Sequence, residues 1–171
     1  MDNNTATIDP TTIYALDAGQ GRHLHALDNL ATLKTAAGAN ASMAVVEFSA
    51  PQDFGPPLHS HNDEDEFLFV IDGSLEVQVG DEHRIVEAGA FVWLPSGVPH
   101  TFQVVSESCR MLSVTADASG DATFDAMFAD LGEDTDDVRI PDPMPIDPAH
   151  VAQTCARHGV EILGPPPGPR S

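Results

Sequence analysis

Gly55-Pro-Pro-Leu-His59-Ser-His61-Asn-Asp-Glu-Asp-Glu66-Phe-Leu-Phe-Val-Ile-Asp-Gly73 is the stretch on which the reading of this chain turns. Two histidines stand two residues apart, a carboxylate follows, and an apolar run ends at Asp72-Gly73. Along a β-strand, residues i and i+2 share a face about 6.7 Å apart. Two imidazoles so placed can lean toward one metal ion about 2.0–2.1 Å from each nitrogen. Glu66 lies at odd separation from His61, so an unbroken strand would aim it at the opposite face. Asn62-Asp63-Glu64-Asp65 is rich in turn formers, which predicts a break there. Glu66 would then open a second strand whose register returns its carboxylate to the histidines. A second stretch, Gly89-Ala-Phe-Val-Trp-Leu-Pro95-Ser-Gly97-Val-Pro99-His100, adds a third imidazole behind a turn at Pro95-Ser96-Gly97. His59, His61, Glu66 and His100 are therefore candidate ligands of one divalent transition metal. That donor set does not choose among Fe, Ni, Mn, Co, Cu and Zn. Four protein ligands on a five- or six-coordinate ion leave room for water, substrate or dioxygen, as catalysis requires. Glu64 is the nearest competing carboxylate. With Asp63 and Asp65 it reads as part of a solvated acidic loop.

Outward from this centre, short strands recur at hairpin spacing. Residues 12–16, 22–27, 30–35 and 43–49 read as strands separated by Gly19-Gln-Gly21, Asp28-Asn29 and Gly38-Ala-Asn-Ala. Residues 67–71 are apolar on both faces, as in a strand buried on each side. Leu75, Val77 and Val79 alternate with polar residues between the turn signals Asp72-Gly73 and Gly80-Asp81. Residues 86–94, 98–105 and 110–115 complete the series. Such a run with no intervening helices predicts an all-β antiparallel barrel or jelly roll. Composition then shifts. Phe124, Met127, Phe128 and Leu131 recur at helical spacing within 122–131, up to Gly132. Residues 133–137 read as an acidic loop. Asp147 as N-cap and Pro148 at the first position predict a second helix over 149–158, ended by Gly159. The Pro-rich tail, 161–171, reads as an extension lying on the barrel. His23 and His25 share the spacing of His59 and His61, but no carboxylate follows them, so a structural role is expected. His150 and His158 are expected on a helix surface without partners, and Arg84 and Arg110 in surface ion pairs.

The two central stretches resemble the cupin motifs G-x₃₋₅-H-x-H-x₃₋₄-E-x₆-G and G-x₅-P-x-G-x₂-H-x₃-N. Gly55, His59, His61, Glu66 and Gly73 match the first; Gly89, Pro95, Gly97 and His100 match the second. Val104 stands where the second motif often ends in Asn, which removes a polar group but no ligand. Within the cupins, the chain is similar to single-domain bacterial proteins related to quercetin 2,3-dioxygenase. That likeness rests on Pro56-Pro57-Leu58-His59, Thr123-Phe-Asp-Ala-Met-Phe128 and Glu161-Ile-Leu-Gly-Pro-Pro166. The resemblance implies a cupin barrel with short C-terminal helices. Its parts would be N-terminal strands over 1–35, a barrel over 36–115 and helices with a tail over 116–171. It also implies a homodimer and a dioxygenase acting on a small enolisable or aromatic, flavonol-like substrate, with O2. His59, His61, Glu66 and His100 would hold Fe, Ni, Mn or Co in such an enzyme. Glu66, its pKa modestly raised in an apolar pocket, would also serve as base. Zn would favour the alternatives, a non-redox isomerase, lyase or cyclase, and a barrel that only binds a small ligand completes the set. Leu68, Val70, Phe102 and Val104 are expected to line the inward face, giving an apolar cavity with the metal as its polar anchor.

Charge bounds the partners. The chain of 171 residues carries 27 acidic and 7 basic side chains, a formal net charge of −20. Such a surface repels phosphate backbones and anionic membranes, so neither nucleic acid nor membrane is an expected partner. It suits a high-salt cytoplasm, where screening relieves self-repulsion. The first residues lack a basic start and an apolar core, and Cys109 and Cys155 have no metal-binding spacing. A cytoplasmic protein with reduced thiols is expected.

Overall fold

The computed structural model describes residues 9, 12–36, 42–120 and 122–170. Its strands form two antiparallel sheets. One contains β1 (Arg22–Ala26), β2 (Asn29–Leu33), β3 (Met43–Pro51), β5 (Glu64–Asp72), β8 (Phe91–Leu94), β10 (Ser108–Asp117) and β11 (Glu133–Asp134). These lie in the order β11-β1-β2-β3-β10-β5-β8. The other orders β12 (Val160–Ile162), β4 (His59–His61), β9 (His100–Val104), β6 (Ser74–Val79) and β7 (Glu82–Glu87) as β12-β4-β9-β6-β7. Inward side chains of both sheets make one core, with Val46, Leu68, Val70 and Met111 facing Leu75 and Val104, all essentially inaccessible to solvent. Two short helices follow, α1 (Phe124–Leu131) and α2 (Pro148–Arg157). Phe128 of α1 packs on Phe48 of β3 with ring centroids 4.8 Å apart. This is the expected all-β jelly-roll barrel with C-terminal helices.

Local chemistry explains the turns. Gly73 sits at φ +84°, where a side chain would be strained. Gly55 is required by crowding: a Cβ there would fall 2.2 Å from the carbonyl oxygen of Phe102. Asp147 caps α2 by accepting from the backbone N–H groups of Ala149 and His150, with Pro148 just inside. The tail lies on the barrel, where the Gln103 amide donates to the Gly168 carbonyl at 2.7 Å.

Several expectations need correction. Residues 12–16 form no strand; the Tyr14 hydroxyl instead donates to the Lys34 carbonyl at 2.9 Å. Residues 86–94 divide at the Gly89 turn into β7 and β8, which lie in different sheets. The strand at 67–71 is not buried on both faces: Leu68 and Val70 point inward, whereas Phe69 stays 39% exposed beside Phe91 and Trp93. The acidic loop contains the short strand β11, which pairs with β1, and the tail contributes β12, which pairs with β4. Residues 1–8 and the Gly38-Ala-Asn-Ala stretch lie outside the described residues. Among the described residues, no helix is long and apolar enough to cross a membrane.

Candidate metal centre

The predicted break falls at Asn62-Asp63, and β5 begins at Glu64 rather than Glu66. Starting two residues earlier preserves the alternation, so Glu64, Glu66, Leu68 and Val70 share the buried face. β4 runs beside β9, and His59 stands directly opposite His100. β5 arrives from the other sheet. Side-chain donor atoms of His59, His61, Glu66 and His100 thereby come within 4.8 Å of one another.

Three of the four donors are aimed by hydrogen bonds. The Nδ1–H groups of His59 and His100 face the carbonyls of Pro57 (2.8 Å) and Val98 (2.9 Å), in each case two residues back. Donation there leaves Nε2 bare and directed into the cluster. Ser113, fully buried on β10, donates its hydroxyl to Glu66 Oε1 at 2.6 Å. The other oxygen, Oε2, lies 3.3 Å from Nε2 of both His61 and His100. Those two nitrogens are nevertheless buried without a partner of hydrogen-bond geometry. Three donors about 2.1 Å from a common ion would stand roughly 3.0–3.4 Å apart. The spacing and the misdirected lone pairs fit a shared cation better than mutual hydrogen bonds.

Electrostatics agree. Burial, reinforced by the neighbouring His100 and His61, pushes His59 down to about 3, so its imidazole is neutral. For Glu66, burial works against ionisation, but His100 and His61 outweigh it and hold the carboxyl well below its usual range. The raised pKa expected for Glu66 is therefore not found, because imidazoles rather than hydrocarbon dominate its surroundings. Burial also opposes protonation of His100, yet Glu66 beside it raises its pKa above the ordinary value.

One wall of an apolar cavity of about 70 Å³ is made by His59, Glu66 and His100. Leu68 and Phe102 line it as expected, whereas Val70 and Val104 are buried in the core away from it. Phe48, Phe124, Met127 and Phe128 are among the other lining residues. Glu64 is only 7% exposed, contrary to expectation. Its Oε1 accepts from the Thr123 backbone N–H at 2.7 Å, at the start of α1, so it serves the helix and not the cluster. Asp65 likewise accepts from the Ser96 N–H, tying the break after β4 to the turn before β9. His23 bonds Thr32, and His25 meets the carbonyls of Asp137 and Arg139; neither joins the cluster. His150 is exposed, while His158 pairs with Asp130 at 3.0 Å instead of standing alone. Arg84 and Arg110 pair with Glu82 and Glu47. Burial pushes the Cys109 thiol up to about 11 and raises that of Cys155, so neither is a ready nucleophile. Ser113 was not anticipated, though a hydroxyl at an inward strand position is a legible signal.

Residues 45–115 match the cupin domain family. The chain is 28% identical over 103 residues to quercetin 2,3-dioxygenase of Bacillus subtilis, covering 60% of this chain and 31% of that enzyme. It is 41% identical over 51 residues to an uncharacterized protein of Streptomyces coelicolor, covering 30% of this chain and 49% of the relative. The chain thus spans half or less of each relative's length. Among solved structures, the plu4264 protein from Photorhabdus luminescens superposes with a TM-score of 0.51 at 20% identity. That match covers 63% of this chain and 89% of the other, and is a likeness of fold.

Proposed function

With residues 45–115 a cupin domain similar to part of quercetin 2,3-dioxygenase, we propose that this chain is a metal-dependent enzyme, a dioxygenase of small enolisable or aromatic molecules. One observation carries the reading: buried imidazole and carboxylate donors converge at cation-ligand spacing on the wall of an apolar cavity. His59, His61, His100 and Glu66 Oε2 would hold one Fe, Ni, Mn or Co ion. Bound there, the metal would supply Lewis acidity toward a substrate hydroxyl and electrons toward dioxygen. The Pro57 and Val98 carbonyls keep His59 and His100 in the ligating tautomer. Ser113 fixes Glu66 so that Oε2 faces the incoming substrate, whose proton it accepts. Low intrinsic basicity makes Glu66 a ligand first and a base only toward an acidified hydroxyl. Phe48, Phe124 and Phe128 exclude water from the reacting end.

A homodimer belongs to the same reading. β8 is an edge strand, and Phe91 and Trp93 on it are 58% and 51% exposed, a face a second copy would cover. A cytoplasmic setting is supported by two buried, unbridged thiols.

Metal content per chain, with a His59→Ala/His61→Ala control, tests the centre. Near-stoichiometric Fe, Ni, Mn or Co, lost in the control, is expected, together with oxygen uptake on enolisable substrates. Glu66→Gln should cost turnover more than metal content; equal loss would reduce Glu66 to a plain ligand. Zinc without oxygen uptake would instead favour a non-redox isomerase, lyase or cyclase. No metal after reconstitution would leave a ligand-binding barrel.

A further inference from the structure

We propose that Asn29 determines specificity in the cavity, its side-chain amide recognising a hydroxyl or N–H group on a neutral, otherwise apolar substrate. That the metal holds the same substrate rests on the function proposed above; recognition by Asn29 does not. Asn29 is 1% exposed and lies on the cavity wall shared with His59, Glu66 and His100. Its Oδ1 is buried without a hydrogen-bond partner. A buried carbonyl oxygen without a partner destabilises a fold relative to a leucine of similar size, so its presence points to a partner that arrives with the ligand. A half-turn of the amide exchanges carbonyl and NH2, which lets the wall meet either polarity.

The backbone holds Asn29 in place. Ala26 pairs with Asn29 across a two-residue hairpin, and both turn residues, Leu27 and Asp28, have positive φ (52° and 65°). That conformation is disfavoured for leucine, and Leu27 itself lines the cavity. Asp28 is anchored in turn, accepting from the Met144 N–H at 2.8 Å. Strain held by surrounding contacts beside a cavity is characteristic of positioned functional groups.

Charge and size narrow the ligand. Among the described residues no lysine or arginine lines the cavity, so away from the histidines no side chain there would balance an anionic substituent. At about 70 Å³ the chamber is smaller than the several hundred Å³ of drug-sized pockets, so the reacting end is compact. A wider groove of about 350 Å³, which shares Leu27 and Phe54 with the chamber, gives the rest of a larger substrate a place outside.

The test compares phenol with toluene, equal in shape but differing in one donor, by titration calorimetry on the metal-loaded full chain. The chain should prefer phenol by about tenfold or more, and Asn29→Leu should abolish the preference with an unchanged or higher Tm. The wild-type preference should survive removal of metal by EDTA. A wild type without preference, or a folded Asn29→Leu chain that keeps it, would each overturn the proposal. Should Asn29→Leu not fold, Asn29→Ala must lose the preference for the proposal to stand. Preference lost with the metal would transfer selection to the ion and leave the metal reading intact. Preference kept by a chain that takes up no metal would sustain Asn29 while the metal reading falls.

Discussion

Ser113 shows how much of the centre is built one residue behind it. Its hydroxyl occupies Glu66 Oε1, which leaves a single carboxylate oxygen for the cluster. Partners of this kind typically govern metal affinity by 10- to 100-fold. Ser113→Ala should therefore weaken metal binding by about that factor with little change in fold, read as the chelator concentration that strips half the metal. Unchanged chelator resistance would make Ser113 a packing residue. Glu66 and its histidine neighbours also set a pH dependence. Since metal must displace protons, affinity falls wherever a ligand is protonated. His59, pushed down to about 3, does not compete near neutrality. His100 does, because Glu66 raises its pKa above the ordinary 6.5 despite burial. A raised value means that the proton binds already at higher pH, so metal affinity should start to fall on acidification while the pH is still above 6.5. Competition titrations at stepped pH would show it. Affinity flat down to pH 5 would remove His100 from the ligand set.

At the scale of elements, the break between β4 and β5 is the decisive feature, and it was legible from Asn62-Asp63 and the parity between His61 and Glu66. Strand alternation picked out side chains that the fold brings together because each candidate ligand lies on a strand with its own periodicity. Long-range partners were not legible. Glu64 looked like loop acid in sequence because its acceptor role depends on Thr123, brought near only by the fold. β11 and β12 were hidden for a related reason: two or three residues carry no period, and their pairing with β1 and β4 is a tertiary fact. Asn29 read as a turn residue, which it borders, while its burial is a tertiary fact: residues of α1 and α2 share the cavity wall with it. Glu64 gives the test at this level. Thr123 makes no side-chain cap bond of its own, so Glu64 is what satisfies the start of α1. Glu64→Ala should cost about 1–2 kcal/mol, lowering Tm by roughly 2–8 °C in a chain of this size. Amide exchange should quicken over Phe124–Leu131. Because Phe124 stands 5.6 Å from the His61 ring, the cavity wall should loosen with it. An unchanged exchange pattern in α1 would show that core packing alone holds the helix.

For the whole molecule, charge is the dominant long-range term. Every one of the seven cations forms an ion pair: Arg22, Lys34, Arg84, Arg110, Arg139, Arg157 and Arg170 each meet a carboxylate. Glu47 serves two of them, so among the described residues these pairs engage six carboxylates, far fewer than the 27 acidic side chains of the chain. Compaction brings these like charges closer than they stand in the unfolded chain, and that repulsion opposes folding. Exposed ion pairs offset little of it, since each contributes about 0–1 kcal/mol and weakens with salt. Two salt effects thus oppose each other, and their sizes decide the sign. Screening relaxes repulsion among many unpaired carboxylates but costs only a few weak pairs, so stability should rise with ionic strength. The Debye length falls from about 30 Å at 0.01 M to about 3 Å at 1 M, spanning the dimensions of the barrel. Melting followed across that range in sodium chloride should give a Tm that climbs steadily, most steeply below 0.2 M. Repeating the series in an equally concentrated neutral osmolyte separates screening from surface exclusion. A flat curve in salt would mean that the carboxylates are already spaced beyond mutual influence, and the halophilic reading of the surface would be abandoned.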